Sequence, residues 1–268
     1  MPRVKLSAVP ASALLALAVL FAGCATKEAD PTAKWSPNRI YEEARDEANS
    51  ANYDKAIAYF EKLEGRAAGT PLAQQAQIEK AYAQYKNGDK AQAIATLDRF
   101  MKLHPTSEAI DYALYLKGLV SFNDNLGIFS SLTRQDLSER DQKAAKESFE
   151  SFRELVTRFP KSKYTPDATA RMRYIINSLA QYEVHVARYY FSRGAYVAAI
   201  DRAQSALADY RDAPANEEAL YILVRSYDAL GMQQLRDDAK RVLDKNFPNS
   251  EYLTKGFKPK EEPWWKLW

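Results

Sequence analysis

The sequence predicts an all-α fold: an α-solenoid of five tetratricopeptide-like helix pairs, with an insertion in repeat three and a long helix in repeat four. Three observations predict it. From Ile40 to Asn246 almost every segment is rich in Ala, Leu, Glu, Lys and Tyr at helical spacing, and no alternating strand pattern of useful length occurs. Gly and Pro are confined to the gaps between those segments, which reads as short helices joined by tight turns. A small residue set also returns at fixed offsets: Gly88 and Pro105 are 17 residues apart, as are Gly231 and Pro248.

Ahead of the repeats, Arg3 and Lys5 open a short positive region, and residues 11–22 add mostly apolar positions. A membrane span takes about 20 such residues, so this stretch reads as the apolar core of a signal peptide. It ends Leu20-Phe21-Ala22-Gly23-Cys24, which resembles a bacterial lipobox with Phe21 where Leu or Val is usual. Residues 1–23 are therefore expected to be a lipoprotein signal peptide and Cys24, the one cysteine of the chain, the acylated mature N-terminus. The other reading is an ordinary secretory signal with an accidental cysteine. Each buried methylene is worth about 0.8 kcal/mol, so several acyl chains hold a protein firmly on a bilayer. Ala25 stands where Asp would favour inner-membrane retention, so the expected destination is the outer membrane. Residues 24–38, polar and carrying Pro31 and Pro37, read as a lipidated tether.

The repeats follow in order. Ala51, Tyr53, Ala56, Phe60 and Leu63 mark the first, which lacks the terminal Pro and has Ala68 there. Gly88, Ala93, Leu97, Phe100 and Pro105 mark the second; Ser148, Phe152, Leu155 and Pro160 are the second-helix half of the third. Gly194, Tyr196, Ala199 and Ala203 mark the fourth, and Leu220, Leu223, Val224, Tyr227, Gly231 and Pro248 the fifth. Small residues at the crossing let the two helices of a pair approach, and Phe or Leu fills the gap to the next pair. Each pair leaves one apolar face uncovered, so stacking is obligatory. In repeat five Arg236 and Lys240 replace the small and the large apolar residue, which suits a capping unit with a wet outer face.

The spacing breaks twice. Pro105 and Pro160 are 55 residues apart where roughly 34 to 37 are expected, so about 18 residues are inserted, placed at Asn123 to Arg140 between the helices of repeat three. The excess between Pro160 and Arg211 reads as one long helix from about Tyr164 to Phe191. The expected division is 39–160 for repeats one to three, with the insertion at 123–140, then 161–250 for repeats four and five and 251–268 for a Trp- and Lys-rich tail. An insertion on one face of a repeat array is commonly a binding feature.

Composition excludes several functions. The 38 Lys+Arg against 35 Asp+Glu leave +3, too little for a phosphate-neutralising nucleic-acid binder, and no basic tract of five or more residues occurs. Two His and one Cys supply neither the usual zinc site nor a disulfide framework, and the scarcity of Gly, 9 residues, argues against glycine-rich phosphate loops. His104 and His185 have no ligand-type neighbours at metal spacing, and the carboxylates are dispersed beside Lys and Arg as on solvated helix faces. No catalytic residue, metal or cofactor is expected beyond the covalent lipid on Cys24. All four Trp lie outside the repeats: Trp35 before them, Trp264, Trp265 and Trp268 at the end. With Pro259 and Pro263 nearby, the tail reads either as a membrane-interface or partner-docking segment or as a piece that folds back on the solenoid.

The lipobox, the five repeats and four specific segments together resemble the BamD (ComL) family of outer-membrane lipoproteins. Those segments are DYALYLKGL (Asp111 to Leu119), DLSERD (Asp136 to Asp141), VARYYFSRGAYVAAIDRA (Val186 to Ala203) and NFPNS (Asn246 to Ser250). The resemblance covers essentially residues 24 to 250. It implies a non-enzymatic subunit of the β-barrel assembly machinery, anchored in the outer membrane and facing the periplasm. That subunit binds the periplasmic domain of BamA, contacts BamC and receives unfolded outer-membrane proteins. The family's BamA contact maps onto Arg193, Gly194, Ala195, Tyr196 and Arg202, where Arg suits a partner carboxylate; Arg202 as a solvated helix residue is the alternative. Substrate reception maps onto repeats one to three, with Tyr53, Tyr82, Tyr85, Tyr112 and Tyr115 as candidates against which core packing competes.

Two other functions compete. A periplasmic repeat lipoprotein acting on the cell wall, by peptidoglycan binding or in competence, would need a cluster of aromatics with carboxylates that the sequence does not display. A lytic enzyme would need a buried glutamate of raised pKa in a cleft, and every Glu can instead be placed on an ordinary helix face.

Overall fold

The computed structural model describes residues 30–122 and 139–257. Repeat one is α1 (Pro37–Asn49) with α2 (Tyr53–Arg66), repeat two α3 (Pro71–Lys86) with α4 (Lys90–Leu103), and repeat three α5 (Ile110–Ser121) with α6 (Glu139–Arg158). Repeat four is α7 (Thr165–Ser192) with α8 (Tyr196–Asp209), repeat five α9 (Asn216–Ala229) with α10 (Gln233–Asn246), and a one-turn helix α11 (Tyr252–Lys255) follows. The five expected pairs are present, and no strand occurs among the described residues. Cys24 and the expected signal peptide, the expected insertion up to residue 138 and the tail from residue 258, with Trp264, Trp265 and Trp268, lie outside the described residues.

The local chemistry of the ends explains the punctuation. Helices α1 and α3 open on Ser-Pro and Thr-Pro: the Ser36 and Thr70 hydroxyls accept from the Arg39 and Ala73 amides at 3.3 Å, and the prolines stand where no amide is needed. The turn between the two helices of a pair is the same device in four repeats. Residues 51, 88, 194 and 231 all have positive φ, and the next amide reaches back to close the first helix. Those bonds are Asn52 N to Glu47 O, Asp89 N to Gln84 O, Ala195 N to Tyr190 O and Met232 N to Tyr227 O, at 2.8 to 3.0 Å. Glycine serves in three of them; repeat one uses Ala51. Not every glycine marks a gap, however: Gly118 lies inside α5, against Phe152.

From α1 to α10 each helix packs on the next one in the chain, and α11 returns to α9. First helices of neighbouring pairs also touch, α3 with α5 and α7 with α9, whereas second helices make no comparable contact with one another. The array therefore curves with the first helices of the pairs along its inner face. Three larger cores run along it, Ile40, Phe60 and Leu63 in repeat one, Leu97, Phe100, Leu116 and Phe152 in the centre, and Ala199, Ala203, Ile222 and Leu223 toward the C-terminal end, where Leu220, Tyr221 and Leu243 form a small fourth. The long helix α7 joins the central and the larger C-terminal core, giving Ile175 and Leu179 to the first and Val184 and Ala187 to the second. The two cores thus meet within α7, a single unbroken helix that spans both and ties the two ends of the array together.

Three boundaries shift. The last part of the expected tether is built structure: Thr32 is fully buried and the chain from Asp30 lies against α2. Helix α6 starts at Glu139, inside the last two residues of the expected insertion. The start of the expected tail folds back, with Tyr252 stacked on Tyr221 at 5.4 Å and Phe257 packed on Tyr221 at 4.9 Å and Phe191 at 5.3 Å. Aromatic area buried on α9 outweighs the freedom of a short terminal segment.

Candidate functional site

Two surfaces carry the candidate residues. The first is an aromatic patch on the inner face of repeats two to four. Residues Glu79 and Tyr82 share a face of α3, and Tyr112 and Tyr115 share a face of α5, each pair three apart. Tyr164, just before α7, closes the patch: its ring lies 4.7 Å from Tyr115 in a stack and 5.3 Å from Tyr112. The Tyr115 hydroxyl donates to Asp167 at 2.8 Å, and Arg171 donates to the same carboxylate at 2.7 Å, with its guanidinium 4.9 Å over the Phe122 ring. Burial, reinforced by Glu79 and the neighbouring tyrosines, pushes the Tyr112 phenol up to about 12. Burial works against the Asp167 carboxylate, but its Arg171 and Tyr115 hydrogen bonds hold it below the usual range. The result is a patch of flat, stiff rings with one anchored carboxylate and an exposed edge at Tyr82, which is 38% accessible.

The structure brings Tyr82, Tyr112 and Tyr115 together and leaves Tyr53 and Tyr85 out. Tyr53 begins α2, the outer helix of repeat one, and packs on the first core; Tyr85 is half-buried against the central core as Tyr112 and Tyr115 are, but it is not one of the rings that meet Tyr164. Tyr164, Asp167 and Arg171 were not among the candidates from sequence. Their signal was available in the pattern Tyr-Thr-Pro-Asp, which starts a helix and puts Asp167 and Arg171 four apart on one face.

The second surface lies at the turns of repeats four and five. Gly194, Ala195, Tyr196, Val197, Ala198, Asp201 and Leu230 line an open depression of about 640 Å³. Val197 is 71% accessible, and Tyr189, Met232 and Leu235 are also exposed. The Arg193 guanidinium sits 5.4 Å over the Tyr189 ring, so the arginine is poised beside an apolar rim rather than buried. Arg202 is placed differently: it donates to Glu183 of α7 at 3.2 Å, and Glu183 is buried. Val197 was missed in the sequence, although Ala199, Ala203 and Ala206 define the buried stripe of α8 and Val197 falls off it.

A larger cleft of about 1140 Å³ lies between α4, α5 and α6, and none of the candidate residues lines it. Its walls carry ion pairs such as Lys117 with Asp98 and Lys143 with Glu147, the chemistry of a solvated helix face. His104 packs against Phe100 at 5.3 Å, and His185 is exposed on α7. Among the described residues no group of three His, Cys, Asp or Glu could hold a metal ion, and no helix is long and apolar enough to cross a membrane.

The outer membrane lipoprotein family YfiO matches residues 33–243, which takes in both surfaces. A protein named outer membrane protein assembly factor BamD from Neisseria meningitidis serogroup A is 45% identical over 95% of this chain and 97% of its own length. The protein of the same name from Neisseria gonorrhoeae is 46% identical, covering 92% of each chain. A more distant one from Xylella fastidiosa is 34% identical over 90% of this chain and 82% of its own. With a family match over most of its length and relatives this similar end to end, the chain belongs to the YfiO family of outer membrane lipoproteins, to which the assembly factors named BamD are its kin.

Proposed function

We propose that this chain is a non-enzymatic scaffold of outer-membrane protein assembly, held in the outer membrane by lipid on Cys24 and facing the periplasm. Its C-terminal repeats hold the periplasmic domain of BamA, it contacts BamC, and its inner face receives unfolded outer-membrane proteins. The observation that carries this reading is the aromatic patch of Tyr82, Tyr112, Tyr115 and Tyr164 on the inner face. Barrel proteins offer extended segments rich in aromatics, and flat rings already fixed by packing bind such segments at low entropic cost. The Asp167–Arg171 pair beside the patch supplies polar contacts for the backbone of an extended peptide.

The apolar rim at Val197, Tyr189 and Leu230 with Arg193 suits a folded partner, because aromatic and aliphatic anchors beside an arginine are the composition of interface hot spots. The test is detergent co-purification of the tagged lipoprotein, wild type beside Val197→Asp. The wild type is expected to retain a large outer-membrane barrel protein with periplasmic repeats, and the variant to lose it while remaining folded. Retention of no such protein by the wild type overturns the reading and favours a role at the cell wall.

A further inference from the structure

We propose that Asp30 to Ser36 is a docked strap that holds repeat one against the bilayer surface, so that the solenoid is fixed to the membrane at one end instead of trailing from a loose tether. This rests on acylation of Cys24, part of the function proposed above.

The strap is built from both sides. Within it, the Thr32 amide and hydroxyl donate to Asp30 Oδ1 at 3.0 and 2.8 Å, and the Ala33 and Trp35 amides close turns onto the Asp30 and Thr32 carbonyls. From α2, Lys62 donates to Asp30 at 2.7 Å, and Arg66 reaches the other carboxylate oxygen and the Thr32 hydroxyl, each at 3.0 Å. Arg66 also donates to the Thr32 carbonyl. A guanidinium carries five donors in a fixed fork, and here they converge on one short stretch of chain. The Lys62 and Thr32 hydrogen bonds hold the Asp30 carboxyl far below the usual carboxylate range, so the latch stays charged at any physiological pH. Trp35 completes the strap, 5.9 Å from Tyr59 with Arg39 stacked 4.5 Å over it.

Docking shortens the leash. From Cys24 to Asp30 the chain spans at most about 22 Å in any conformation, whereas freeing it up to Ser36 would double that to about 43 Å. The strap must therefore lie close to the headgroups. What it presents there is Lys34 and Arg39, both exposed, with Lys62 and Arg66 behind them and an amphipathic Trp35, a composition suited to an anionic lipid surface.

The test uses the full-length acylated protein in vesicles of phosphatidylethanolamine and phosphatidylglycerol, with a fluorophore on Glu42→Cys and an acceptor on lipid headgroups. Energy transfer should place repeat one within about 40 Å of the bilayer. The double variant Asp30→Ala, Thr32→Ala should lower the transfer at least two-fold while still floating with vesicles. Both positions precede α1, so an unchanged helical circular dichroism signal certifies the repeats. Equal transfer in wild type and variant, with both bound to vesicles, overturns the strap. Failure of the wild type to float overturns the acylation reading and the strap's role with it.

Discussion

Arg202 of α8 donates to Glu183 of α7 across 3.2 Å, at the level of the long helix where the central core gives way to the C-terminal one. Glu183 is only 9% accessible, so the arginine neutralises a carboxylate that packing would otherwise strand. The arginine is half-exposed, and solvent screening limits the pair to about 1 kcal/mol. Arg202→Gln should cost about that much. Charge reversal, Arg202→Glu, sets two carboxylates against each other and should cost about 2 kcal/mol or more, read as a lower urea midpoint. Adding Glu183→Gln should restore much of the loss. A reversal variant as stable as Arg202→Gln would show the pair to be incidental, and a partner-binding defect in Arg202→Glu has to be judged against this cost.

Gly118→Ala should be the most damaging small substitution in repeat three. A Cβ there would lie 2.4 Å from the Phe152 ring, and Phe152 is fully buried. The Ser148 hydroxyl bonds the Gly118 carbonyl at 2.8 Å, so the two helices cannot slide apart freely. The gain in helix propensity, about 1 kcal/mol, is outweighed by overpacking, for a net loss of about 2 kcal/mol. Combining it with Phe152→Leu should recover part of that loss in urea unfolding. No recovery would place the strain elsewhere.

Ala51→Gly should stabilise the chain. Ala51 holds φ at 60°, in the turn position that Gly88, Gly194 and Gly231 fill in three other repeats. A side chain there costs about 1 kcal/mol or more, and the extra freedom of unfolded glycine returns part of it. The expected net gain is about 0.5 kcal/mol, seen as a higher melting temperature. Gly88→Ala should move it the other way, and opposite signs are the check.

These cases mark how far the sequence could be read. The repeat positions were legible because each has one steric job: Ala93 and Ala199 sit at helix crossings, and Phe60, Phe100 and Phe152 fill gaps between pairs. The aromatic patch was half legible. Tyr112 and Tyr115 lie three apart on one helix, but nothing local says that Tyr82 of another helix stands near them or that Tyr164 closes the patch from the next repeat. The strap was illegible for a different reason. Asp30, Thr32 and Pro31 read as polar linker, and the donors that fix them, Lys62 and Arg66, stand more than 30 residues away. Contacts of that range leave no periodic trace.

Alkaline pH should loosen the packing in a defined window. Tyr112, Tyr210 and Tyr252 are each pushed up to about 12, chiefly by burial. A raised phenol contributes stability that is complete below its unfolded value near 10 and is lost as pH climbs through the folded value. Stability should therefore hold to about pH 10 and fall between 10 and 12. Spectrophotometric titration should show these phenols ionising after the exposed ones. Ionisation of all tyrosines together near pH 10, in folded protein, would refute the burial of the patch.

The patch itself separates recognition from packing. Tyr82 is 38% accessible and contributes no buried core, whereas Tyr112 is half-buried against Tyr164. Tyr82→Ala should leave the melting temperature within 2 °C or so, since surface changes are usually within about 0.5 kcal/mol. It should nevertheless weaken binding of a peptide copying the C-terminal segment of an outer-membrane barrel protein by about five- to tenfold, the usual weight of a contact aromatic. Tyr112→Ala should lose both binding and about 2 kcal/mol of stability, because its ring supports the stack that Tyr115 and Tyr164 complete. Tyr115→Phe keeps the ring and drops only the hydrogen bond to Asp167, so it should bind within about threefold of wild type. Fluorescence anisotropy with the labelled peptide measures all three. If Tyr82→Ala binds like wild type while Tyr112→Ala fails only in proportion to its unfolding, the tyrosines are packing alone and the peptide site lies on another face.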